Sequence, residues 1–245
     1  MDSAYAWFVQ NSEVQATGMA VQAQAEKGIE ITYKGSGTWG SVATSTAGTS
    51  ALYPTSTNDV TAWYHAKADA STASTGVMKT YEVLNLDATT GKSTVDGHTT
   101  EQYFQLTEFT LRSTSSTSAT NLTIKSVEAT KSGEVTAELD KALRVAVVID
   151  GETVNSKAKV HIFAPFGGDD QYNIWNGSDA VDVAVDAEDH TQPQATTISV
   201  PQDGVGVKIY AWYEGEDTEL KSENLPTGAA TIDTMNITVN FTATV

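Results

Sequence analysis

The clearest alternation in the chain is its last. Met235, Ile237, Val239, Phe241, Ala243 and Val245 take one face, and Asn236, Thr238, Asn240, Thr242 and Thr244 the other. Period-two patterning with one apolar row marks a strand that buries one side. The same pattern stands near the start, where Met19, Val21, Ala23 and Ala25 oppose Ala20, Gln22, Gln24 and Glu26. Residues 14–26 therefore read as an integral strand. Gly28 breaks the run and Ile29, Ile31 and Tyr33 alternate again, which predicts a hairpin-like pair. Val205, Val207, Ile209, Ala211 and Tyr213 alternate against Lys208, Tyr210 and Trp212 as a further strand. Residues 103–112 carry apolar groups on both faces and predict a central strand, and 145–149 read as a near-continuous apolar strand. Leu122, Ile124 and Val127 begin another strand, and Asp150-Gly151 signals a hairpin turn with residues 159–163 as its return. Ile198 and Val200 form a short strand closed by Pro201.

Helical periodicity is scarce. Residues 59–69 predict one short helix, capped by Asn58 or Asp59 and packing Val60, Trp63 and Tyr64. Residues 138–143 predict a helical turn, and the acidic connection 214–225 another. Residues 35–54 read as a loop anchored by Trp39, and 70–100 as a polar stretch with Val77, Tyr81, Val83 and Leu86 as strand markers. Residues 167–194 read as an Asp- and Asn-rich loop excursion interrupted by Val181, Val183 and Val185. Roughly ten strands, one near each terminus, predict an all-β fold. Its form is a two-sheet antiparallel sandwich or jelly roll, with long insertions at 35–100 and 165–195 and one or two short helices. No composition break divides it, and the reading is one domain over residues 1–245.

Charge narrows the partners. Asp plus Glu is 31 against 14 for Lys plus Arg, a formal net charge of −17. Such a field repels phosphate backbones and anionic lipids, so neither nucleic acid nor a membrane surface is an expected partner. The cysteine count is zero, which removes disulfides, thiolate metal sites and cysteine nucleophiles from consideration. No apolar run approaches the roughly 18 residues of a membrane span. Met1-Asp2 leads abruptly into a hydrophobic stretch, and we read it as standing where an export signal has been removed.

Motifs of catalysis are weak. Gly35, Gly37 and Gly40 spell GxGxxG, but the β-branched and turn residues that follow do not open the helix a pyrophosphate needs. Gly91-Lys92-Ser93 resembles a phosphate loop whose earlier glycine position holds Leu86. His65, His98, His161 and His190 are scattered without an HExxH pair, and His161, in an alternating strand, reads as a core-edge or exposed histidine. No enzyme activity and no cofactor is expected. Two acidic loops, 167–182 and 186–190, have the oxygen-rich composition Ca²⁺ takes, without EF-hand spacing, and solvated surface acid is the preferred reading. Trp175, with Asp169 and Asp170 in the same loop, is the candidate for binding a glycan or other ligand. Trp39, Trp63 and Trp212 read as packing anchors. The Asn-x-Ser/Thr triplets at Asn121, Asn176 and Asn236 are chance products of a Ser/Thr-rich chain.

The segment ahead of the first strand is the sharpest anomaly. Tyr5, Trp7, Phe8 and Val9 crowd into five positions of an otherwise polar and acidic chain, and Tyr5, Trp7 and Val9 are spaced as one row of a strand. With Val14 they are the candidate assembly residues, within a segment comprising residues 1–14. The opening AYAWFVQNSEVQATGMAVQAQ, with Tyr5-Ala6-Trp7-Phe8 and Ala16-Thr17-Gly18, resembles the mature start of TasA/camelysin-like proteins. QYFQLTEFTLRS, LDKALRVAVVI and IYAWYEGEDTELKSENL are similar to pieces of secreted Gram-positive proteins with the same opening. The resemblance implies a jelly-roll domain deposited on the cell surface or in a biofilm matrix. In fibre-forming members the N-terminal segment of one subunit completes a sheet in the next. No metallopeptidase motif attributed to camelysin carries over. The alternative is a surface adhesin or carbohydrate-binding module.

Overall fold

The computed structural model describes residues 19–46, 52–67, 80–85, 98–132, 138–167, 171–175, 180–184, 193–215 and 234–245, with the single positions 48, 87, 89, 90, 92 and 217. Its strands are β1 (Met19–Ala25), β2 (Ile29–Tyr33), β3 (Val42–Thr44), β4 (Tyr64–Lys67), β5 (Thr80–Val83), β6 (Gln105–Ser113), β7 (Thr120–Ser132) and β8 (Leu143–Ile149). They continue as β9 (Thr153–Val154), β10 (Lys157–Ala158), β11 (His161–Phe163), β12 (Gln171–Trp175), β13 (Ala180–Ala184), β14 (Gln194–Ala195), β15 (Val205–Tyr213) and β16 (Thr234–Thr244). Short 3₁₀ turns occur at Thr100–Gln102 and Glu138–Ala142, the second where a helical turn is expected. The fold is all-β, a sandwich of two five-stranded sheets, ordered β14-β7-β16-β1-β3 and β11-β8-β15-β6-β2.

The alternating rows close the core between these sheets. Met235, Ile237, Val239 and Phe241 of β16 face Val207, Ile209 and Ala211 of β15 within one buried cluster. β8 is buried along its whole length, as its unbroken apolar run requires. β16 is the spine of its sheet, paired antiparallel with β7 from Ser132 to Thr120 and parallel with β1 from Met19↔Met235 to Ala25↔Phe241. The sandwich is thus antiparallel except where the first and last described strands meet.

Several local expectations are overturned. β1 and β2 do not form a hairpin, because β1 is already paired on both sides, by β16 and β3, and β2 lies on β6 in the opposite sheet. Gly28, at φ +105°, makes the step between sheets, and a Cβ there would collide with Val245. The stretch 35–54 is not all loop, since it supplies edge strand β3.

No helix forms over 59–67, the described part of the expected helix. The Asp59 carboxylate accepts from the backbone N–H groups of Thr61 and Ala62, which closes a bend, and Val60 sits at φ 52°. The chain then enters β4, which pairs with β5. The 167–194 excursion likewise contains a hairpin, β12 with β13. The small hairpin β9–β10 separates the turn after β8 from its return strand β11.

The insertion between β3 and β6 covers the outer face of the β15 sheet. Trp63 stacks on Phe104 at 4.0 Å between ring centroids and meets Trp212 edge-on at 5.4 Å. With Ala146 and Ile162 they form a second buried cluster. Trp39 lies under the Arg112 guanidinium, 4.1 Å from the ring centroid. All three tryptophans are packing anchors, as expected.

Candidate functional site

The assembly residues Tyr5, Trp7, Phe8, Val9 and Val14 lie outside the described residues, as do Asp169 and Asp170. Trp175 ends strand β12 opposite Ala180, so its backbone belongs to a hairpin rather than a loop. Of the histidines, His98 stacks on Tyr53 at 3.9 Å, and His65 pairs with Glu82 in the β4–β5 ladder. His161 is fully buried, not exposed, and its Nε2 lies 3.0 Å from the buried Glu152 carboxylate. His190 is outside the described residues. Among the described residues no group of three or more His, Asp or Glu side chains is placed to hold a metal. No helix among them is long and apolar enough to cross a membrane.

The charged chemistry that is brought together sits where composition gave no sign of it. At one end of the β15 sheet, Arg144 and Asp217 form an ion pair at 2.5 Å with neither side chain exposed. The second Arg144 nitrogen donates to the carbonyls of Lys141 at 2.7 Å and Leu143 at 3.1 Å. Beside it the buried Glu214 carboxylate accepts from the Ser56 hydroxyl and, at 3.1 Å, from the Trp212 indole N–H. Thr55 bonds to the backbone on either side of Glu214, which fixes the insertion to β15. The acidic connection after Tyr213 thus begins as part of the interior. The signal available in sequence was Arg144, a lone cation in the apolar run 143–149. This cluster is enclosed, offers no substrate access, and acts as a clamp between the insertion and the sandwich.

Tyr213 is buried, and its hydroxyl is uncompensated by any hydrogen bond among the described residues. Burial, and then the nearby Asp140 carboxylate, push its ionisation well above the ordinary tyrosine range. A phenol whose folded-state pKa is raised stabilises the fold fully below its unfolded value near ~10 and loses that contribution as pH rises beyond it. Tyr213→Phe should therefore flatten the alkaline limb of a stability–pH profile. At neutral pH it should leave stability unchanged or raise it by about 1 kcal/mol, because no hydrogen bond is lost. Urea denaturation midpoints across the pH range check this, and a clear loss at neutral pH would mean that the hydroxyl has a partner.

The outward face of the β16 sheet is open and polar. Gln24, Glu26, Ser126, Glu128, Thr238 and Asn240 line a shallow groove of about 500 Å³, with Val42 and Lys125 at its rim. Asn240 donates from its amide to Ser126 at 2.9 Å, and Gln24 donates to Gln22 at 3.3 Å. Glu26, exposed, is held below the usual carboxylate range by hydrogen bonds from Lys125 and then Thr242. The groove presents amides, hydroxyls and the two carboxylates of Glu26 and Glu128, with no nucleophile set against a base among the described residues.

The ends of the sheets complete the inventory. Among the described residues β14, continued by bonds from Ile198 and Val200, lies against residues 119–124. Beyond the irregularity at Lys125, β7 pairs with β16 as far as Ser132. Comparison with protein-family profiles, with characterised proteins and with solved structures gives no match for this chain.

Proposed function

We propose that this is an exported, non-enzymatic structural protein of the cell surface or extracellular matrix. It assembles by lending the N-terminal segment of one subunit to a sheet of the next. The observation that carries the reading is the place of the first strand. β1 begins at Met19 already in full register with β16 and also pairs with β3, so the aromatic row Tyr5, Trp7 and Val9 precedes a strand paired on both sides. An apolar strand donated in trans gains backbone hydrogen bonds from an open edge and buries alternate side chains. Because donor and acceptor are different surfaces, the contact is heterologous and propagates as a filament.

Negative-stain microscopy of protein with its native N-terminus should show filaments, and deletion of residues 1–14 should abolish them. A monomer indifferent to that deletion overturns the reading. The adhesin alternative is favoured by the polar groove beside Asn240. For that reading, the same monomer should bind a glycan array and lose the binding in Asn240→Ala.

A further inference from the structure

The outward face of the β16 sheet carries chemistry that assembly does not use. We propose that its groove binds an oligosaccharide bearing free amino groups. This gives a ligand class to the groove on which the adhesin alternative rests, and it requires no contact between subunits.

Strand register lays out the lining. Gln24 of β1 lies opposite Val42 of β3 on one side and Asn240 of β16 on the other, and Asn240 lies opposite Ser126 of β7. On the next outward rung Thr238 lies opposite Glu128. The rung between them, which holds Ala23 and Val239, is buried in the core, so alternation turns both polar rungs outward. Four strands at a spacing of about 4.8 Å make a line about 14 Å long across the sheet. It is graded from end to end. Val42 stands 46% exposed at one end, the amides of Gln24 and Asn240 fill the middle, and the Glu128 carboxylate closes the other. Each amide both donates and accepts, as each sugar hydroxyl does, and Val42 suits the apolar C–H face of a pyranose ring.

The charge of the ligand follows from the two carboxylates. Glu26 is already answered by the Lys125 ammonium. Glu128 is exposed and has no cationic partner among the described residues. Its Oε1 accepts from the Ser126 hydroxyl at 2.9 Å and from the Asn240 amide at 3.4 Å, which fixes the carboxylate and leaves Oε2 for a ligand. An ammonium completes such a group with a charge-assisted hydrogen bond. A uronic acid or a sugar phosphate is repelled instead, both here and by the formal net charge of −17. A bare polyamine supplies the charge but has no hydroxyls for the amides.

Calorimetric titration of the full chain tests this with three probes: a glucosamine tetramer, its fully N-acetylated counterpart and spermidine. The free-amine tetramer should bind about tenfold more tightly than the acetylated one. Glu128→Gln should abolish that preference without moving the melting temperature, because the side chain is exposed. Asn240→Ala should weaken both tetramers. Equal binding of the two tetramers would overturn the amino-group assignment while leaving a neutral-glycan adhesin standing. Spermidine binding as tightly as the free-amine tetramer, or a preference that survives Glu128→Gln, would reduce the effect to general charge attraction and overturn the site. No binding of either tetramer would remove the adhesin alternative with this inference, and filaments formed by the same protein would still support the assembly reading.

Discussion

Arg144→Ala is expected to cost about 3–5 kcal/mol of folding stability, the usual consequence of leaving one member of a buried ion pair alone. Asp217 would keep its charge in a site with no solvent exposure, and the carbonyls of Lys141 and Leu143 would lose their donor. Against a typical total of about 5–15 kcal/mol, that is a large fraction of the whole. The double variant Arg144→Met with Asp217→Leu should recover most of the loss, since removing both charges removes the desolvation cost as well. Guanidinium denaturation of the single and double variants checks both statements. A single variant within about 1 kcal/mol of wild type would mean that water reaches the pair.

Trp212→Ala should be of similar size, about 3–5 kcal/mol, for a different reason. The indole is fully buried, packs edge-on against Trp63 and gives its N–H to Glu214. Its removal opens a cavity under the insertion and takes away one of the donors that hold a buried carboxylate. Trp212→Phe keeps most of the ring and loses the N–H, so it should cost about 1–3 kcal/mol. Denaturant titration read at Trp63 fluorescence should show Trp212→Ala releasing the insertion before the sandwich unfolds. A single concerted transition in that variant would show that the insertion holds by other contacts.

The parts of this fold that could be read in the sequence are those in which one strand decides its own face. β16, β15 and β8 state most of their burial. The structure repeats it from Met235 to Phe241, at Val207, Ile209 and Ala211, and along Val145 to Ile149. Val245 ends its row exposed, and Trp212 is buried on the opposite face. What the alternation does not encode is which neighbour a strand takes. Ile29 and Ile31 alternate as a hairpin partner of β1 would, yet they fill the core from the opposite sheet, because β1 has no free side to offer. The spacing of Val60, Trp63 and Tyr64 imitates a helical face, but the Asp59 side chain captures the amides of the first turn and Trp63 stacks on Phe104.

The electrostatic clamp was hidden for a related reason. With 31 acidic residues in the chain, nothing distinguished Glu214 and Asp217 from solvated acid. Only the packing shows that both are enclosed with Arg144. The aromatic row Tyr5, Trp7 and Val9 was legible as an anomaly, and it lies outside the described residues.

The parallel pairing of β1 with β16 has a mechanical consequence. The first strand enters at one end of the sheet and the last leaves at the other, with rungs from Met19↔Met235 to Ala25↔Phe241 between them. Tension drawn between the two ends of the chain pulls these strands lengthwise past each other. It loads the whole row of hydrogen bonds together instead of peeling them one at a time, and a subunit held by its N-terminus then bears strain along the axis in which its sheet is stiffest.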